Sequence, residues 1–130
     1  MIELLRFRPE LDSKVLEELL KARDIPFERY ADIPKLGLIA YKDEVPVVLG
    51  FLREVEGGYA MMDSLITNPS IAPEIRNDMI DLLVTELIEL AKQNKFKSII
   101  AVSVDKNTII RSQKHGFILL DHKLISLRLN

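Results

Sequence analysis

Residues 59–94 read YAMMDSLITNPSIAPEIRNDMIDLLVTELIELAKQN, and the change of period inside that stretch decides the fold. From Tyr59 to Thr67 the segment suits a strand, with Met61, Asp63, Leu65 and Thr67 on one face by alternation. Asn68-Pro69-Ser70 stops it, because proline offers no N–H and biases the residue before it away from helix. Pro73 can occupy the first turn of a helix. Ile75, Met79, Leu82, Leu83, Leu87, Leu90 and Ala91 then recur with a 3.6-residue period to about Asn94. Ile80, Val84 and Ile88 add a second apolar row, which predicts a helix buried against a sheet with little exposed beyond Arg76, Asp81, Thr85 and Glu89.

Working outward, Lys97–Val104 contains the unbroken run Ile99-Ile100-Ala101-Val102, which predicts a central strand covered on both faces. A helix joins it to Tyr59–Thr67, so the two strands should be parallel. Upstream, Leu36–Tyr41 and Val45–Arg53 flank the polar turn Lys42-Asp43-Glu44, and Glu56-Gly57-Gly58 supplies the next turn, giving an antiparallel meander. Ile2–Phe7 reads as a first strand ending in a turn at Pro9. Val15, Leu16, Leu19 and Leu20 then mark a helix capped at Asp12 or Ser13. Asp24–Lys35, with Pro26 and Pro34, is a loop with room for one helical turn, and loops of this length often border sites. Asn107–His115 forms a helix ended by Gly116, and Phe117–Leu120 and Lys123–Leu129 close the chain as strands around Asp121-His122. The order is β-α-β-β-β-α-β-α-β-β. The class is α/β (α+β), a mixed sheet with helices on both faces, in a single domain over residues 1–130.

At 130 residues, 48% apolar and 29% charged, the chain can build one core. A net charge of -2 speaks against a globally basic nucleic-acid binder. The charge is uneven: residues 1–91 hold 10 basic and 18 acidic side chains, residues 92–130 hold 8 and 2. No aromatic cluster accompanies the basic portion, so stacking on bases is not supported. Absence of cysteine excludes disulfides, zinc–thiolate and iron–sulfur centres and a thiol nucleophile. The two histidines, His115 and His122, have no third donor at ligand spacing, so no metal site is expected and both read as surface residues. The longest apolar stretch, Val45–Leu52, contains Pro46 and Gly50 and is too short for a bilayer, while Met1–Pro9 carries Glu3, Arg6 and Arg8 where a signal peptide would be apolar. A soluble, cytoplasmic protein is expected.

Four features in sequence carry a family resemblance: the Asn68-Pro69 junction between strand and long helix, the paired Leu82-Leu83, the strand Ser98–Val104, and Lys114-His115-Gly116-Phe117. Together they resemble the GNAT superfamily of acyl-CoA-dependent N-acyltransferases over nearly the whole chain. The resemblance implies that the family's fourth and fifth strands, here Tyr59–Thr67 and Lys97–Val104, splay apart to admit a pantetheine arm. It implies acetyl-CoA or another acyl-CoA as co-substrate, with the backbone at Leu65, Ile66 and Thr67 along the arm. The turn Ser70–Asn77, with Arg76 and Asn77, would meet the pyrophosphate, since unpaired amides and the helix dipole favour an anion there. Asn107 is implied as a cofactor contact, and a helix cap is an equal reading of it, although Asp105 takes the ungapped place. The acceptor would be a small-molecule or peptide amine.

The chain also departs from the family pattern. Its five glycines are Gly37, Gly50, Gly57, Gly58 and Gly116, so the glycine-bearing phosphate signature is replaced by Pro73-Glu74-Ile75-Arg76-Asn77-Asp78-Met79. Pro73 removes a donor, and Glu74 and Asp78 place negative charge by the phosphates, which predicts weak or absent acyl-CoA binding. The tyrosine that protonates the departing thiolate in many members counts onto Ser112, a much weaker acid. Asp63, the one carboxylate on its strand, takes the place of the base. Two functions follow: an N-acyltransferase with impaired catalysis, or a GNAT-fold binding or structural protein that has lost the chemistry, similar to small phage-encoded proteins with an eroded pattern.

Overall fold

Turn chemistry organises the first half of the sheet. Asp43 and Glu44 both adopt positive φ, 49° and 69°, and so close a two-residue hairpin whose twist matches its strands. Gly57 and Gly58, at φ 110° and 89°, make the next turn. A computed structural model describes residues 1–30, 32–121 and 123–129. Its elements are β1 (Ile2–Arg6), α1 (Pro9–Ala22), a 3₁₀ turn at Phe27–Tyr30, β2 (Leu36–Lys42), β3 (Val45–Val55), β4 (Tyr59–Met62), β5 (Ile66–Thr67), α2 (Pro73–Gln93), β6 (Ser98–Ile100) and α3 (Lys106–Lys114). The sheet runs β1-β2-β3-β4-β6, with β5 beside β3. Among the described residues only the β4–β6 pairing is parallel, so the sheet is mixed, as expected.

Alternation along the strands divides the core between the two faces. Leu38, Ala40, Leu52, Ala60 and Met62 pack with Met79, Leu83, Val84 and Leu87 of α2. Ile39, Leu49, Phe51 and Ile66 pack with Phe7, Tyr30 and, from α1, Leu16, Leu19 and Leu20. Phe51 meets Phe7 edge to face, with centroids 5.0 Å apart. Helices therefore cover both faces. Burying each of these large side chains contributes roughly 1.5–3 kcal/mol.

Several elements differ from expectation. Helix α1 begins at Pro9 rather than Asp12, because proline fits the first helical position and the Asp12 carboxylate accepts the Arg8 backbone N–H at 2.7 Å, holding the entry from inside. Ile80 and Val84 are buried as the second apolar row predicts, but Leu82 is 43% exposed. Strand β6 is parallel to β4 as expected, yet it is three residues long and, among the described residues, forms an edge; Ile100 and Val102 are exposed. Continuous apolar sequence sets β tendency but does not say how many neighbours a strand will have. The two closing strands are not formed: residues 117–121 and 123–129 carry no strand, and Ile118, Leu124, Ile125, Leu127 and Leu129 are exposed. Their alternation defines a face without naming a partner, and the short β6 offers few ladder positions. His122 lies outside the described residues. Among the described residues no helix is long and apolar enough to cross a membrane, and no three acidic or histidine side chains stand where they would hold a metal ion.

Candidate active site

The site starts from a miscount between two strands. Met62 pairs with Leu52 and Ile66 with Leu49, so Asp63, Ser64 and Leu65 face only Gly50 and Phe51. The extra residue is a bulge, which breaks the expected single strand into β4 and β5. Asp63 still continues the alternation from Met61, its N–H donating to Phe51 O at 3.2 Å and its carboxylate meeting Arg53, and the expected alternation is lost after it, where Leu65 turns to the α2 face. Beyond Met61–Ile100 the partner strand departs as well, and Ala101–Ser103 diverge from Met62–Leu65. A cleft of about 360 Å³ fills the gap, floored by Ile80 and Val84 of α2 and walled by Ile109, Arg111, Ser112 and His115 at α3.

Near this cleft, α2 starts with no side-chain cap. Arg76 N–H makes the first intrahelical bond, to Ala72 O, leaving the Glu74 and Ile75 amides ahead of it and no amide hydrogen at Pro73. Asn68 builds the approach: its Nδ2 donates to Pro46 O at 2.9 Å and its Oδ1 accepts from Ser70 N–H at 2.9 Å. By contrast, α3 is capped. Asp105 Oδ2 accepts from Thr108 N–H at 2.9 Å and Thr108 Oγ1 at 2.8 Å, and these bonds hold its carboxyl below the usual aspartate range. Asp105 thus fills the cap role, and Asn107 lies exposed in the first turn, outside the cleft.

The remaining expected residues meet different fates. Asp63 and Ser112 both line the cleft. Arg53 Nε donates to Asp63 Oδ2 at 2.8 Å, and Arg53 Nη1 donates to Asp32 O at 3.2 Å, so one guanidinium ties the base candidate to the loop before β2. Ser112 Oγ donates to Thr108 O at 2.8 Å, inside its own helix. Leu65 sits in the bulge and lines the cleft, whereas Ile66 is buried and pairs with Leu49. Thr67 lines the cleft and is engaged by Arg23, which donates to its carbonyl at 3.1 Å and to its Oγ1 at 2.6 Å. Asn77 Oδ1 accepts from Arg111 Nη2 at 2.9 Å, which brings a second cation beside Arg76 at the start of α2.

Sequence reasoning passed over Arg23, Arg53, Asp81, Arg111 and His115. His115, read as a surface residue, is only 14% exposed in its side chain and stands 3.0 Å from Asp81 Oδ1. The pairing spans 34 residues, so no local spacing announces it. Gly50 does carry a local signal, a glycine within an otherwise apolar strand, which marks a bulge or close approach opposite it.

Sequence comparison finds no matching family model and no matching curated protein. Solved structures match over the full length. A GNAT-family acetyltransferase from Streptococcus pneumoniae TIGR4 is 18% identical, with 100% of this chain and 98% of that one covered and a TM-score of 0.72. The ribosomal-protein-alanine N-acetyltransferase of Brucella melitensis biovar Abortus 2308 is 14% identical, covering 99% and 100%, with a TM-score of 0.66. An aminoglycoside N-acetyltransferase in complex with CoA is 12% identical, covering 98% and 95%, with a TM-score of 0.62. The likeness is one of fold, and it is unambiguous: the chain has the GNAT acetyltransferase fold.

Proposed function

We propose that the chain is an N-acetyltransferase that moves an acetyl group from acetyl-CoA to an amine, acting as a single cytoplasmic domain on a small-molecule or peptide acceptor. The observation that carries this reading is the cleft between the β4–β5 bulge and the departing β6, close to an uncapped α2 N-terminus. The cleft is of a size that takes an extended thioester arm. Two unpaired amides, with Arg76 and Arg111 nearby, suit phosphate oxygens, and Glu74 and Asp78 oppose them. Residues present therefore fit the co-substrate, with a smaller cradle than glycine would allow. Leu65 would lie along the arm, and the Thr67 carbonyl is accessible to it only in competition with Arg23.

In the reaction the amine nitrogen bonds to the thioester carbonyl carbon while the carbon–sulfur bond breaks. Asp63, or a water it holds, takes the amine proton; Arg53 engages Oδ2 and leaves Oδ1 to accept. Ser112, already donating within its helix, is poorly placed to protonate sulfur. That observation supports a second reading, a GNAT-fold binding protein without turnover.

Calorimetry and heat denaturation with acetyl-CoA test the proposal, since a ligand of the folded state raises the midpoint. Binding that Arg76→Glu abolishes, together with CoA release in the presence of an amine, supports the enzyme. Binding without release from any acceptor moves the conclusion to the second reading, and no midpoint shift rejects both the co-substrate and the function.

A further inference from the structure

His115 and Asp81 form a dyad in the wall of the cleft. His115 follows Ser112 by three residues at the end of α3, so both lie on one side of the helix, and both line the cleft. His115 Nε2 is 3.0 Å from Asp81 Oδ1, and the ring is mostly buried while Asp81 is half exposed. Other groups gather around the pair: Arg111 of α3 places Nε 3.7 Å from the same Asp81 oxygen and donates through Nη2 to Asn77 of α2.

Given the acyltransferase reading, on which this rests, we propose that His115 is the proton donor to the departing sulfur, in the role that Ser112 cannot fill. Imidazole exchanges protons near neutrality, which a serine hydroxyl does not. In the imidazolium, Nε2–H donates to Asp81 and stays there, so Nδ1–H is the proton available to the cleft. As the amine nitrogen bonds to the carbonyl carbon and the carbon–sulfur electron pair moves to sulfur, His115 passes its Nδ1 proton to that sulfur. The amine proton leaves to Asp63 or water, and solvent reprotonates Nδ1, so charge and protons balance over the turnover. Asp81 is a positioning residue: it fixes the ring through Nε2, while Arg111 competes for the same carboxylate.

The bland role for the pair is docking. Helix α3 buries none of its residues, and the contacts of Arg111 and His115 tie it to α2. His115→Gln separates the two roles, because its amide N–H can still serve Asp81 but cannot transfer a proton. Full-length wild type, His115→Gln and Asp81→Asn would be compared by acetyl-CoA calorimetry, thermal melting, and CoA release with glucosamine 6-phosphate, an alanyl peptide, kanamycin and spermidine over roughly pH 5 to 9. Imidazole NMR of His115 would be followed as CoA is added.

The expected result is that His115→Gln melts and binds like wild type, loses about a hundredfold in kcat, and loses the fall in rate that wild type shows as pH rises. CoA should also move the His115 resonances. Equal turnover and an unchanged pH profile in His115→Gln overturn the donor role while the acyltransferase reading stands. Parallel loss of binding and melting temperature overturns it in favour of docking. A wild type that binds acetyl-CoA, acylates no probe and leaves the imidazole signals unmoved overturns it too, and a wild type that binds no acetyl-CoA overturns both readings.

Discussion

Gly50 and Leu65 meet where the strand breaks: a Cβ at Gly50 would stand 2.7 Å from Leu65 Cδ2, with Leu87 Cδ1 at 2.9 Å and Leu83 Cδ2 at 3.1 Å. The glycine is needed for close approach. Three residues across the bulge face two on β3, and the side chain of the surplus residue, Leu65, fills the space above Gly50. Leu83 and Leu87 are fully buried behind it and cannot retreat easily, so a displacement falls on Leu65, which borders the cleft. The parting of the strands and the packing of α2 thus depend on one missing methyl.

Gly50→Ala is expected to destabilise the chain by about 1–3 kcal/mol through overpacking. Urea denaturation measures this as a lower midpoint at unchanged slope. Because Leu65 must move, acetyl-CoA affinity should fall by more than the stability loss explains. An alanine variant as stable as wild type would mean that the bulge relaxes freely.

Arg53→Met tests the contact that holds Asp63. Removing the guanidinium from a half-buried pair leaves a carboxylate poorly compensated and frees the Asp32 carbonyl, at a cost of about 1–3 kcal/mol. Asp63→Asn should instead reduce CoA release by about a hundredfold while acetyl-CoA binding, read by calorimetry, persists. Unchanged turnover in that variant would assign the amine proton to water alone.

What the sequence made legible was set by local period and turn chemistry. The hairpin at Asp43-Glu44, the apolar face of α2 and the parallel β4–β6 pair each rest on signals within a few residues of one another. The bulge at Asp63–Leu65 was hidden because alternation assumes an unbroken ladder, and a surplus residue shows only against its partner strand. Strand β6 and residues 117–129 have β-like composition, but neighbour number is a property of the sheet. The cap of α3 went to Asp105 because its carboxylate reaches Thr108 N–H, a choice that Asn107, two residues later, does not compete for geometrically. Around the cleft, Ser112 is reached by counting back from Phe117 and Asp63 as the one carboxylate on its strand, while the contacts of Arg53, Asp81 and His115 join separate elements.

Acidification should fray α3 before the rest of the chain. The Thr108 bonds depress the Asp105 pKa in the folded state, so its contribution is present above the unfolded value of about 3.9 and is lost as pH falls through the lower folded value. Backbone NMR of residues 106–114 should therefore show helix loss on lowering the pH below about 4. Asp105→Ala should remove that dependence and fray the helix already at neutral pH, and Asp105→Asn should preserve the cap without the titration. Equal acid sensitivity in all three proteins would place the titrating group elsewhere.

Ser112→Tyr reintroduces the acid that the fold resemblance leads one to expect. The serine hydroxyl is spent on Thr108 O, so its removal costs one exposed hydrogen bond inside a helix and leaves Asp105 to cap the start. Ser112 lines the same cleft as Leu65 and Ala101, so a phenol at this position is expected to reach into it. If a proton donor limits turnover, CoA release should rise by about tenfold or more, with acetyl-CoA affinity little changed. The same substitution in His115→Gln should restore release to a larger relative extent, because tyrosine then supplies a proton that no other cleft side chain offers. Its pH profile should move to higher pH, in keeping with a phenol that stays protonated to about 10. Calorimetry comes first, so that a low rate is read against demonstrated binding. Equal release with and without the tyrosine would reject proton donation as the limiting step, whereas binding with no CoA release from wild type or either variant would leave the binding-protein reading in first place.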